Sequence, residues 1–192
     1  MRAVVLVALA FLHATTCLAA DVSGSVRIDG RAAPGTVVYL EGGPREDPPS
    51  PPPHVVMDQK NLLFVPSVLP VQRGTVVDFK NSDDVQHNVF TPSTSANPFN
   101  LGTYNRGEAR SVTFNKAGEA VILCNIHMEM EAHIVVVEGP HFTVTDQTGT
   151  FRISDVPPGR YELRLWHRGW LSYTSELEVG DGPVERHIDF EP

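Results

Sequence analysis

Apolar residues in this chain recur at every second position, in short runs that Gly, Pro, Asn and Asp cut apart. Phe151 and Ile153 alternate with Thr150 and Arg152, and beyond Pro157-Pro158-Gly159 the residues Tyr161, Leu163 and Leu165 alternate with Glu162 and Arg164. A period of two sends one set of side chains into a core and the other into water. Turn residues at this spacing predict an all-β protein built as a sandwich. Helix signals are nearly absent.

The first twenty residues follow a different rule. Arg2 precedes an apolar run from Ala3 to Leu12, and small residues follow at Ala19-Ala20. This order of charged, apolar and small residues is that of a secretory signal peptide, here 1–20. The run is shorter than the roughly 20 apolar residues that span a bilayer, so no membrane span is expected after cleavage. Cleavage takes Cys17 with it and leaves Cys124 as the sole thiol of an exported, periplasmic or extracellular protein. A lone cysteine in an oxidising compartment is either buried or occupied by chemistry. The remainder carries 14 Lys and Arg against 23 Asp and Glu, a formal charge of −9. Nucleic acid is therefore not an expected partner, because binding it requires a basic footprint.

Residues 44–53 contain six prolines in ten and read as an extended linker. Before it, residues 21–43 read as two strands around an Asp29-Gly30 turn. After it, a strand-rich block spans 54–138, and 139–192 hold a further set of strands. Two strands alone are marginal in water, so the piece 21–43 needs a partner.

The chemistry is concentrated in Cys124-Asn-Ile-His127-Met-Glu-Met130, taken with His87 upstream. Copper in an electron-transfer site takes a thiolate, two imidazoles and a weak axial thioether. Cys124, His127 and Met130 offer three of these on one short loop that follows the apolar run EAVILC, and His87 offers the second imidazole from another strand end. His133 has no assigned role, and Trp166 and Trp170 read as sandwich core or rim. One cysteine in the loop excludes a binuclear copper centre, and the absence of a His-x-His pair excludes a trinuclear one. With no Gly-rich phosphate loop, nucleophile elbow or HExxH, the chain is not expected to be an enzyme.

The stretch FVPSVLPVQRGTVVDFKNSDDVQHNVF, with C-x-x-H-x-x-M downstream, resembles plastocyanin-type cupredoxins, and its ligand loop is similar to the short loop of amicyanin. The resemblance covers about 54–138. It implies a Greek-key β-sandwich binding one type 1 copper ion through His87, Cys124, His127 and Met130, with Asn81 tying the two ligand-bearing loops together. Family members often carry Pro after the loop histidine, where this chain has Met128. The segments VSGSVRIDGRAAPGTVVYLEG and TVTDQTGTFRISDVPPGRYELRL together resemble a carboxypeptidase regulatory-like, transthyretin-type sandwich. That resemblance implies a second, discontinuous domain from 21–43 and 139–192, with the copper-type domain inserted into it. The alternative is a tandem in which the N-terminal strands pack elsewhere. The implied function is one-electron transfer between redox partner proteins. Copper delivery with the same ligands and a purely structural module are the other readings.

Overall fold

The computed structural model describes residues 18–45, 53–92, 97–168 and 170–191. The expected signal segment and most of the Pro-rich linker lie outside the described residues. Every regular element within them is a strand. Before the linker run β1 (Ala20–Ile28), β2 (Arg31–Ala32) and β3 (Val37–Gly42). The middle block holds β4 (His54–Lys60), β5 (Leu63–Val65), β6 (Val68–Gln72), β7 (Val76–Asn81), β8 (His87–Thr91), β9 (Phe99–Tyr104), β10 (Ala109–Thr113), β11 (Gly118–Leu123) and β12 (Glu131–Val137). The chain closes with β13 (Phe142–Val144), β14 (Thr150–Val156), β15 (Gly159–His167), β16 (Trp170–Val179) and β17 (Val184–Phe190).

The strands form two pairs of sheets. In the middle block, the order β10-β7-β4-β5 faces β6-β12-β11-β8-β9. Phe79, Val89, Phe114, Ile122 and Ile134 are fully buried between them. The alternation seen in the sequence is this inward face. Pro70 sits on β6, the edge of its sheet, where a missing N–H costs no ladder bond.

The second pair joins the two ends of the chain. Strand β1 lies between β14, antiparallel, and β17, parallel. Strand β3 lies between β13 and β15, and β16 completes that sheet. Val22, Val26 and Leu40 share one core with Phe151, Leu163, Leu177 and Ile188. The N-terminal strands thus find their partners more than a hundred residues downstream.

One local expectation is corrected. The Asp29-Gly30 turn does join two antiparallel strands, but the second is only the two-residue β2, and β3 does not pair with β1. Asp29 and Gly30, at φ 50 and 72, turn the chain into β2, which pairs with β1 only through Arg27↔Ala32 and Ile28↔Arg31. Pro34 then has no N–H to extend that ladder, and Gly35 at φ 74 redirects the chain to the opposite sheet. The crossing is fixed by buried polar contacts: Thr36 Oγ1 donates to Ala33 O (2.9 Å) and Thr36 N donates to Thr145 Oγ1 (2.9 Å).

Strand β12 is buried on both faces. Ala132, Ile134 and Val136 point into the core of the middle block. Val135 and Val137 point the other way and pack, with Val68, against Val37, Tyr39, Phe142, Val144 and Trp166 of the second sandwich. The apolar run HIVVV is continuous because both its faces are dry.

Gly24 offers a direct test of the β1–β17 pairing. A Cβ at this position would run into the backbone carbonyl of Arg186, whereas one at Gly180 would meet open space. Gly24→Ala should lower stability by about 1–3 kcal/mol, and Gly180→Ala should change it by less than about 0.5 kcal/mol. Urea unfolding of both variants checks this.

Candidate metal centre

Strand β11 delivers Cys124 at its end, and β12 resumes at Glu131, so the intervening loop is short. It is closed by its own backbone: Met130 N donates to His127 O (3.0 Å), and Cys124 N approaches Met130 O at 3.4 Å. His87 opens β8, which touches β11 through Leu123↔Phe90. Two neighbouring strand ends therefore bring the loop and His87 to the same pole of the sandwich.

There the donor atoms of His87, Cys124 and His127 lie within 4.8 Å of one another. His87 Nδ1 and His127 Nδ1 are 3.1 Å apart, and Cys124 Sγ is 4.0 Å from His127 Nδ1. Cys124 is only 4% exposed and His87 is fully buried, while His127 is half-buried and reaches the surface. The outer nitrogen of His87, Nε2, donates to Asp83 Oδ2 at 2.9 Å. A carboxylate can only accept, so this bond leaves the lone pair on Nδ1, aimed at His127 and Cys124.

Asp83 went unassigned from sequence because its neighbours in the run Asn81-Ser-Asp-Asp read simply as a turn. Its carboxylate also accepts from Asn61 N (2.5 Å) and Leu62 N (2.9 Å), at a β4–β5 turn where both donors have positive φ. Burial pushes the Asp83 carboxyl up, but the bonds from Leu62, His87 and Asn61 together outweigh it and hold it below its ordinary value. An ionised partner to the outer nitrogen of a metal-ligating histidine fixes its tautomer and ring orientation.

Asn81 does a different job from the one implied by the resemblance. Its Nδ2 donates to Val85 O (2.9 Å) and Tyr104 O (3.2 Å), and its Oδ1 accepts from Asp83 N (2.9 Å). These bonds tie the loop before His87 to β9, where Tyr104 sits opposite His87. The loop carrying Cys124 is tied by its own backbone instead. Tyr104 is itself locked in the core, receiving a bond from Gln59 Nε2 (2.6 Å) and donating to Phe79 O (3.0 Å).

The two loop methionines part company. Met130 is fully buried in the core that also holds Cys124, whereas Met128 is 89% exposed. His133 is buried away from the donor cluster, with Nδ1 2.8 Å from Glu119 Oε1 and Nε2 3.1 Å from Glu131 Oε1. Trp166 lies between the two sandwiches, its ring 5.1 Å from that of His133. Among the described residues, His87, Cys124 and His127 form the one cluster of potential metal-ligating groups.

Residues 53–137 match the family of copper binding proteins described as plastocyanin/azurin, and residues 130–191 match the carboxypeptidase regulatory-like domain. The middle block is a copper-binding domain of the plastocyanin/azurin family. The regulatory-like match begins inside it and takes in β12, the strand that lies between the core of the middle block and the seam with the second sandwich. No curated protein sequence matches the chain. Solved structures that overlay on it include the copper-containing nitrite reductase NirK from Thermus scotoductus SA-01, with 32% identity over 47% of this chain and 23% of that chain, at a TM-score of 0.43. An amicyanin mutant in its Cu(I) state has 23% identity over 44% of this chain and 82% of that one, at 0.42. An oxidised amicyanin mutant has 24% identity over 44% and 82%, also at 0.42. The chain spans about a quarter of the length of the nitrite reductase.

Copper is the metal of such a domain, and the donors present fit it. A thiol and two imidazoles, converging in a buried pocket with a buried thioether close by in the chain, suit a soft, redox-active ion better than Mg²⁺ or Ca²⁺, which take oxygen ligands. The fit extends to the second layer, where Asp83 holds one imidazole in place.

Asp83→Ala should strand the buried Nε2 of His87 and two backbone N–H groups. The metal-free protein is then expected to lose about 1–3 kcal/mol in urea unfolding. In the copper-loaded protein the visible spectrum should shift while the far-ultraviolet β-signal persists. An unchanged spectrum and stability would remove Asp83 from the centre.

Proposed function

We propose that this protein is an exported type 1 copper protein that carries single electrons between redox partner proteins, with His87, Cys124, His127 and Met130 as its ligands. The observation that carries the reading is the convergence of two imidazole nitrogens and a buried thiol on one point, held by a seven-residue loop and a second strand end. Copper, when bound, supplies a one-electron couple between Cu(I) and Cu(II).

The chain's own residues supply the rest. Cys124 offers a thiolate and the two histidines offer neutral imidazoles. Met130, buried in the core behind the loop, would offer its thioether as a weaker fourth donor. Packing around Cys124, His87 and Met130 excludes water and restrains their rotamers, so the donor set has little freedom to rearrange between oxidation states. His127 is the only one of the four that is not fully packed away, and it sits between the exposed side chains of Ile126 and Met128. Val85 is exposed as well, at 44%. Exposed apolar side chains on either side of a solvent-reaching ligand suit a transient redox partner, which needs close approach without a large permanent interface. His127 is therefore the exit point assigned to the electron. No catalytic turnover is assigned to the chain, and the discontinuous second domain, 21–43 with 139–192, is assigned a supporting role.

Export rests on the order of charged, apolar and small residues in 1–20 and on the single mature cysteine. Among the described residues no helix is long and apolar enough to cross a membrane.

Copper-loaded wild-type protein should show an intense visible thiolate-to-Cu(II) band, and Cys124→Ser should abolish it while the β-sheet signal is retained. A Cys124→Ser variant that keeps the band would sink the assignment. Met130→Leu should alter the spectrum and the reduction potential more than Met128→Leu, and the reverse order would place the wrong sulfur at the metal. Reversible voltammetry with full copper retention against a Cu(I) chelator is the outcome expected of an electron carrier. Rapid surrender of Cu(I) would instead mark a delivery protein.

A further inference from the structure

The second sandwich meets the copper-binding domain at more than an apolar seam. Glu131 directly follows Met130, and its carboxylate is the meeting point of two cationic or N–H groups. Arg168 Nη2, from the turn between β15 and β16, lies 2.7 Å from Glu131 Oε1. His133 Nε2 lies 3.1 Å from the same oxygen, and His133 Nδ1 is 2.8 Å from Glu119 Oε1 on β11. Glu131 Oε1 thus links the end of the metal loop to the tip of a hairpin in the other domain, and His133, bound to that oxygen, extends the chain of contacts to Glu119 on β11, the strand leading into the loop.

That hairpin is itself anchored. Trp166 packs in the seam against the outward face of β12 and stacks obliquely on His133, 5.1 Å between ring centroids. His167 Nδ1 lies 2.8 Å from Thr36 Oγ1, the buried hydroxyl at the crossing between β2 and β3. Arg168 therefore extends from a fixed base. In sequence Glu131 and Arg168 lie 37 residues apart and in different domains, and nothing in either domain's own packing requires them to meet.

We propose that the regulatory-like sandwich acts as a clamp on the metal loop, with Arg168 as a positioning residue that holds Glu131 and, through it, the Met130 end of the loop. The proposal rests on the assignment of Met130 to the copper centre. A loop of seven residues between two strands has two legs. The Cys124 leg is held by the β11 ladder, and the Met130 leg is held at its base by β12 and from outside by Arg168. Releasing the outer hold frees the side of the loop that carries Met130, the weaker of the proposed donors. The clamp thereby connects a domain without metal ligands to retention of the metal.

The test uses the full chain in metal-free and copper-loaded forms, with Arg168→Ala, Arg168→Lys and Trp166→Ala. In metal-free protein, amide hydrogen exchange across 124–131 should quicken about fivefold in Arg168→Ala, in keeping with a partly exposed ion pair. Lysine at this position should restore most of the protection, because a point charge still reaches the carboxylate. Trp166→Ala should quicken the same amides further, while amides of Val22 and Val26 in the far sheet stay protected in Arg168→Ala. In copper-loaded protein, Arg168→Ala should surrender Cu(I) to a chelator about fivefold faster and shift the reduction potential, again with rescue by lysine. Wild-type exchange across 124–131 in Arg168→Ala would overturn the clamp, and so would faster exchange with unchanged copper release and potential. If wild-type protein takes up no copper, the functional reading falls, while the metal-free exchange experiment still decides whether the hairpin holds the loop.

Discussion

Burial of β12 on both faces is the constraint on which the other features depend. A strand with one wet face can serve only one core, and its outward residues must be polar. Here Ala132, Ile134 and Val136 belong to the copper-binding core and Val135 and Val137 to the seam with the second sandwich. The two domains consequently share a wall, and the loop that ends at Met130 leaves directly from that wall. A displacement of the second sandwich is transmitted to the metal pole through a close-packed element, because interiors at this density do not absorb strain by flowing.

The pole that carries the candidate donors holds them in two different ways. Cys124 and Met130 are held by burial and by the loop's own hydrogen bonds. His87 is held by a carboxylate that is itself fixed by two backbone N–H groups of the β4–β5 turn. Asn81 and Asp83, with the backbone of Asn61 and Leu62, thus serve to orient a single imidazole, as partners of the outer nitrogen of a metal-ligating histidine do. His127 lacks such a carboxylate partner among the described contacts and retains access to solvent, so the two histidines differ: one is fixed from outside and the other is open at the surface.

The second sandwich illustrates how far apart in sequence a fold can place its cooperating parts. Val22 and Ile188 share a core, β1 pairs in parallel with β17, and the whole copper-binding domain lies between them along the chain. Such non-local pairing carries a loop-closure cost that grows only slowly with length. Insertion is tolerated for that reason, provided the inserted ends lie close together, as they do between β3 and β13, where Tyr39 pairs with Phe142 and Leu40 N donates to His141 O at 2.9 Å.

Alternation, turn residues and donor types were local properties, and the sequence by itself determined them: an all-β chain, a strand-ending cysteine with histidine and methionine behind it, and a second histidine in a turn before a strand. Phe151, Ile153, Tyr161, Leu163 and Leu165 all point inward as their spacing required. The tertiary structure alone decided what depends on proximity between distant segments. Asp83 and Asp84 are indistinguishable in the sequence, and only the approach of the Asn61-Leu62 turn makes one of them the partner of His87. Met128 and Met130 differ by two positions, and only the path of the loop turns one outward and buries the other. The strands of 21–43 read as a hairpin because their turn is local, yet a proline and a left-handed glycine divert β3 to the opposite sheet. Glu131 and Arg168 carry no shared spacing, since a contact between domains leaves no period in either. Periodicity records how one segment meets one core, and the chain has no comparable code for which segments that core brings together.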